Sequence, residues 1–163
     1  KKLKLNNKLL LKTLQKIKNL KYRQQIIYKK KNLTIINDSK STSFSSSKDI
    51  LKSKFNILWL VGGIFKKGDK LNLKKSDLLN VEAFIYGKNK TPFNKELKNK
   101  VKIKNFDNLN KAIKEIFKFI KKKRFIHWTI LFSPCAASFD TFKNFEERGY
   151  YFNKLIKRYL NGI

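Results

Sequence analysis

The strongest constraint on the fold is an alternation. Short runs rich in β-branched and aromatic residues recur along the chain, separated by stretches whose apolar residues have helical spacing. Residues 56–61 (NILWLV), 81–87 (VEAFIYG), 101–106 and 125–132 (FIHWTILF) read as strands, and 26–28 with 33–36 read as a β-hairpin around the polar tip 29–32. Helices are expected over 6–20, 43–53, 71–79, from Thr91-Pro92 onward with proline in the first turn, over 109–122, and from Phe139 to about Leu160. In 109–122 the residues Leu109, Ala112, Ile113, Ile116, Phe117 and Ile120 fall on one face, with Asp107 or Asn108 as cap. Such an order predicts an α/β fold, a Rossmann-like, mostly parallel sheet with helices on both faces. Ligands of such sheets bind beyond the carboxyl ends of the strands. Lys40, Thr42, Lys66 and Ser138 all follow strand ends, so topology alone can bring them to one site.

Composition narrows the function classes. The formal charge is +29, from 40 Lys+Arg against 11 Asp+Glu. Arginine occurs only at 23, 124, 148 and 158, whereas nucleic-acid binders use its bidentate fork freely. The lysines are spread along the chain and the aromatics fall inside apolar runs, which reads as solvated faces around a core rather than a nucleic-acid footprint. Cys135 is the single cysteine, so an internal disulfide is excluded and a reducing, cytoplasmic setting fits. No apolar run approaches the ~18 residues of a membrane span, and the basic start KKLKLNNKLLLKTLQK has no signal-peptide pattern. With no methionine anywhere, the chain reads as a fragment of a longer protein.

The stretch 133–149 (SPCAASFDTFKNFEERG) carries the most chemistry. An apolar strand ends, small residues form a turn, and a helix is expected to start with Ser138 as its N-cap. Free amides and the helix dipole at such a place favour an anion. An ordinary strand–helix connection would look the same locally. After the strand 56–61 comes GGIFKKGD, in which Gly63 and Gly68 have Walker spacing, but Asp69-Lys70 replaces the required Lys-Ser/Thr. His127 sits in an apolar run with no nucleophile placed for it, and Cys135 has no evident base. Asp140, Glu146 and Glu147 read as helix N-terminal charge rather than paired catalytic carboxylates.

The same stretch resembles the C-terminal signature SPACASFDxFKNFExRG of the Mur ligase family, in its D-glutamate-adding branch, with Cys135 and Ala136 exchanged. Further segments match in order: LKYR and INDSKSTS are similar to the family's LPHR and INDSKATN, with Tyr22 at the family's His and Ser43 at its final Asn. The turn at 62–66 is similar to the family's GGxxK turn, and 81–87 to its third strand. The resemblance implies that 1–36 is the tail of an ATP-binding central domain with its linker, and 37–163 the C-terminal, amino-acid-binding domain. It further implies ATP-dependent amide-bond formation through an acyl phosphate, with D-glutamate, UDP-N-acetylmuramoyl-L-alanine and ATP as partners. Mg²⁺ ligands are expected in the central domain, so this chain alone should not ligate.

By position, Thr42 and the backbone N–H of Phe145 would take the α-carboxylate of D-glutamate. Lys66 and the Ser138 hydroxyl would take its side-chain carboxylate, with Phe139 in the same substrate group. Lys67 lies beside Lys66 and leaves the register open. Lys40 would be the catalytic residue that orients anionic groups, and Arg23 and Asp38 would contact ATP. A cytoplasmic monomer with no nucleic-acid or membrane partner is expected. The competing readings are another Mur or folylpolyglutamate-type ligase domain, and a basic nucleic-acid-binding module.

Overall fold

The computed structural model describes residues 20–53, 55–123 and 125–161. Six strands form one sheet: β1 (Gln25–Lys30), β2 (Leu33–Asn37), β3 (Ile57–Val61), β4 (Val81–Tyr86), β5 (Lys102–Phe106) and β6 (Trp128–Phe132), in the order β1-β2-β6-β3-β4-β5. Only the β1–β2 hairpin pair is antiparallel; β2–β6, β6–β3, β3–β4 and β4–β5 are parallel. The α/β architecture expected from the alternation is therefore present, and the hairpin belongs to the same sheet as the strands that follow. The expected helix over 6–20 lies outside the described residues, apart from its last position.

β3 and β6 occupy the middle of the sheet and are buried at every position, which is why they read as unbroken apolar runs rather than as alternating ones. Four helices cover the sheet: α1 (Lys48–Ser53), α2 (Thr91–Leu97), α3 (Leu109–Lys122) and α4 (Phe145–Leu160). One core joins Phe44, Leu51, Trp59, Val61, Phe93 and Leu97. The other joins Leu58, Phe84, Ile113, Phe132, Phe152 and Ile156. α3 starts as the pattern required: the Asn108 side chain caps it by accepting from the Lys111 amide.

Three boundaries differ from the expectation. β6 begins at Trp128, not at Phe125, because Phe125 projects into solvent while the His127 ring bonds the Lys31 carbonyl and the Thr34 hydroxyl. Residues 71–79 form no α-helix: 71–74 are irregular and a 3-10 turn covers Lys75–Leu78. Glu96 accepts from the Leu71 amide and the Lys100 amine donates to the Leu71 carbonyl, so side chains satisfy the backbone groups a helix would have used. The terminal helix begins at Phe145 rather than Phe139. Its cap is Asn144, which accepts from the Glu147 amide, while Ser138 heads a separate turn whose carbonyl accepts from Thr141 and Phe142.

Candidate functional site

Three adjacent strands, β2, β6 and β3, point their carboxyl ends at one edge of the sheet. The loops that leave them, 38–43, 133–144 and 62–70, are tied to one another there. Ile64 and Ala137 form an isolated antiparallel bridge, with N···O distances of 2.9 and 3.2 Å. The Asp69 carboxylate accepts from the Phe44 amide at 2.7 Å, fastening the turn after β3 to the segment after β2. Gly63 makes the close approach possible. Its φ is +129°, and a Cβ there would stand 2.4 Å from the Ala137 carbonyl oxygen.

The centre of this junction is Arg148, which the stretch 133–149 contains but to which the sequence assigns no role. Arg148 lies on the buried face of α4 with Phe152, Leu155 and Ile156, and is 1% exposed. Its guanidinium donates to the Ser39 hydroxyl (3.2 Å), the Ser39 carbonyl (2.6 Å) and the Ala136 carbonyl (3.0 Å). Ser39 in turn donates to the Phe145 carbonyl at 2.8 Å. One side chain thus joins the loop after β2, the loop after β6 and the first turn of α4. The signal was available: an arginine in phase with the apolar face of a helix must find acceptors inside the protein. All three acceptors are neutral, so its charge is left without a carboxylate in hydrogen-bond contact among the described residues. Burial pulls its pKa below the usual arginine value, opposed by the nearby Tyr86, Asp140, Cys135 and Asp38 groups.

Beside the arginine runs a buried polar chain. Asp38 accepts from the Ser133 hydroxyl (2.8 Å) and the Gln24 amide (3.1 Å); Ser133 meets Ser47 (2.5 Å), and Ser47 meets Cys135 (3.0 Å) and Ser41 (3.2 Å). Burial pushes the Asp38 carboxyl above its ordinary range, against the Ser133 and Gln24 hydrogen bonds and the charges of Arg23 and Arg148. Burial pushes the Cys135 thiol up to about 12, so it stays protonated and is no nucleophile. Cys135 also adopts φ +55°, the left-handed conformation that turns the chain away from β6.

The expected site residues distribute as follows. Lys40 and Phe145 are brought together, with the Lys40 amine 4.7 Å from the centre of the Phe145 ring. Thr42 is exposed, one residue after Ser41 and two before Phe44. Lys66 and Lys67 are both exposed in the turn closed by Asp69 N–H to Lys66 C=O at 3.0 Å. Ser138 is 3% exposed and follows the Ile64–Ala137 bridge directly; among the described residues its hydroxyl has no hydrogen-bond partner. Phe139 is largely exposed beside it. Arg23 is exposed, whereas Asp38 is 4% exposed with both carboxylate oxygens engaged. Tyr22 packs its ring on α4: a Cβ at Gly149 would come 2.4 Å from the Tyr22 ring.

Lys40, Thr42, Lys66 and Ser138 sit on loops, and Phe145 at the start of α4, that hydrogen bonds and one bridge hold at a single edge. Their chemistry, amines with hydroxyls and a helix N-terminus above a buried guanidinium, suits a small molecule with more than one negative charge. A cavity of about 740 Å³ lies elsewhere, at the amino-terminal ends of the strands, lined by Asn80, Val81, Lys102 and Trp128 among others. The expected site residues lie at the carboxyl-end edge, away from that cavity. Among the described residues no group of three or more His, Cys, Asp or Glu side chains is placed to hold a metal ion.

No family model matches the chain. A UDP-N-acetylmuramoylalanine–D-glutamate ligase of Rickettsia felis is 36% identical over 157 residues, which is 96% of this chain and 35% of that protein. One from the Wolbachia of Brugia malayi is 35% identical over 157 residues, covering 96% of this chain and 31% of its own length. One from Buchnera aphidicola subsp. Baizongia pistaciae is 36% identical over 164 residues, covering 98% and 36%. The chain thus spans about a third of the length of the curated relatives it matches. Among solved structures, MurF from Acinetobacter baumannii superposes with a TM-score of 0.63 over 96% of this chain and 34% of its own, at 15% identity, a likeness of fold.

Proposed function

The chain belongs to the Mur ligase family, and from there we propose that it is the amino-acid-binding part of a UDP-N-acetylmuramoylalanine–D-glutamate ligase. In the proposed reaction ATP converts the carboxyl of UDP-N-acetylmuramoyl-L-alanine to an acyl phosphate. The amine of D-glutamate attacks that carbon, a tetrahedral centre collapses with loss of phosphate, and an amide remains. The contribution of this chain is to hold the amine donor still and to place charge around it.

Lys66 and the Ser138 hydroxyl take the side-chain carboxylate; Thr42 and the Phe145 amide take the α-carboxylate. Lys40, its amine resting over the Phe145 ring, orients the anionic groups at the reacting end. Phe139, exposed beside Ser138, belongs to the same substrate-binding group. Arg148, buried and bonded only to neutral acceptors, holds the loops that carry these groups without touching the substrate. Arg23 is the residue here that reaches ATP, with Asp38 beside it as a positioning carboxylate rather than an open ligand. The Mg²⁺ ligands are proposed to lie in the ATP-binding central domain. Because β1 and β2 belong to the sheet that carries the site, residues 25–163 are proposed as the amino-acid-binding domain and 1–24 as the tail of the ATP-binding domain and its linker. The enzyme is proposed to act as a cytoplasmic monomer, and the isolated chain not to ligate.

The observation that supports this most directly is the joining of three strand-end loops and one helix N-terminus around Arg148. The test is steady-state kinetics of the full-length enzyme. Lys66→Ala is expected to raise KM for D-glutamate about 100-fold, the order of a charge-assisted hydrogen bond or two, and Ser138→Ala about 10-fold. KM for ATP should be unmoved in both. Unchanged KM for D-glutamate in Lys66→Ala and Lys67→Ala alike would refute the site.

A further inference from the structure

The amino-terminal ends of the strands have features that the ligase site does not use. Four large apolar side chains stand in solvent there: Phe55 (75% exposed), Leu79 (75%), Phe125 (99%) and Ile126 (38%). They share one end of the sheet, because the residues next to them are bonded across it. The Asn56 side chain donates to the His127 carbonyl at 3.1 Å, the Thr129 amide to the Asn56 carbonyl at 3.0 Å, and the Ile57 amide to the Asn80 carbonyl at 2.8 Å. Phe55, Leu79 and Phe125 thus project from the loops entering β3, β4 and β6, strands that are neighbours in the sheet.

The surround is basic. Lys52, Lys75, Lys98 and Lys102 line the two cavities at this end, and Lys31 and Lys123 sit where the His127 and Trp128 rings bond their carbonyls. All six are exposed. The carboxylates in these cavities are Asp77, which accepts from the Lys74 amide, and Glu82, which lies 3.9 Å from the Lys104 amine. Residues 20–24 pack at the opposite end, against Asp38 and Lys40. That leaves this end clear of the point where the described chain enters.

We propose that this end of the domain docks on an anionic membrane surface, with Phe55, Leu79 and Phe125 dipping into the interface and the lysines facing acidic headgroups. Projecting apolar tips within a basic ring are what an interfacial contact requires. A groove for an acidic peptide would enclose its apolar anchors, whereas Phe125 is clear of the protein on every side. A second copy of the chain would bring like charge against like. Aliphatic Leu79 and Ile126 offer nothing for nucleobases to stack on.

The test is cosedimentation of the chain with phosphatidylcholine vesicles, with and without phosphatidylglycerol, at physiological ionic strength. Binding to the anionic vesicles alone is expected. Phe55→Ser with Phe125→Ser should weaken it about tenfold, while Lys66→Ser with Lys67→Ser, two charges removed at the other end, should change it less than about twofold. Circular dichroism checks that both variants are folded. In Phe125→Trp, the added emission should shift to the blue on anionic vesicles, against the buried Trp59 and Trp128. Equal losses in the two double variants, or no blue shift, would mean diffuse charge attraction and overturn the proposal. So would a Phe125-dependent preference for polyglutamate or single-stranded RNA over vesicles.

Discussion

The two ends of this sheet are built to different rules. At the carboxyl ends of β2, β6 and β3, backbone and side chains are cross-linked through Arg148, Ser39, Asp38 and the Ile64–Ala137 bridge, and glycine allows loops to touch. At the amino-terminal ends the strands start from short backbone contacts, large apolar residues are left in water, and cavities remain open. Both ends are made by the same strands, so sheet formation does not account for the contrast. A rim that must hold several donors within reach of one small ligand needs each loop over-determined. A rim that meets a deformable or flat partner needs only to present its side chains.

Mutations at the two ends should therefore have effects of very different size. The largest is expected for Arg148→Met, which leaves the Ser39 and Ala136 carbonyls and the Ser39 hydroxyl without their donor. A loss of about 3 kcal/mol or more in urea denaturation is expected, and a loss below about 1 kcal/mol would show that the junction does not depend on this side chain. Gly63→Ala comes next. The added methyl would meet the Ala137 oxygen in a backbone conformation that only glycine adopts readily, at a cost of about 2–3 kcal/mol; retained thermal stability would contradict the close approach.

Asp38 gives a pH signature of smaller size. Its pKa is raised in the folded state by burial. The protonated form is therefore the better tolerated one, and the stability it contributes is full below the unfolded carboxyl value and lost as pH rises through the folded value. Measured against Asp38→Asn, the chain should gain relative stability on acidification from neutral pH toward about 4; a relative loss over that window would reverse the assignment. Tyr86→Phe should be near neutral or slightly stabilising, within about 1 kcal/mol, because the Tyr86 hydroxyl is buried without a hydrogen-bond partner among the described residues. At the other end, Phe125→Ser should fall within about 0.5 kcal/mol of the parent. A large loss there would mean that Phe125 is packed, and the contrast between the ends would fail.

Much of this was legible in the residues. The strand–helix alternation is enough for the layer order, since β3 and β6 could be buried on both faces only at the centre of a parallel sheet. The loops that carry Lys40, Thr42, Lys66 and Ser138 could be placed at one edge from topology alone. What could not be read were features decided by tertiary partners. The start of α4 lies at Phe145 rather than Phe139 because Asn144, not Ser138, makes the capping bond, and periodicity does not choose between two candidate caps. Residues 71–79 have helical spacing of leucines, but the Leu71 backbone groups are taken by Glu96 and Lys100, which lie in and just after α2. Arg148 was visible as a signature letter, but its acceptors on Ser39 and Ala136 are 109 and 12 residues distant.

The placement of Cys135 has a practical side. As the sole thiol of the chain, enclosed and kept protonated, it should resist alkylating reagents until the protein opens, so its rate of labelling reports global unfolding. A cysteine introduced at an exposed position of either end would then be the one reactive handle, and a single spectroscopic tag could be attached there without first removing the native sulfur.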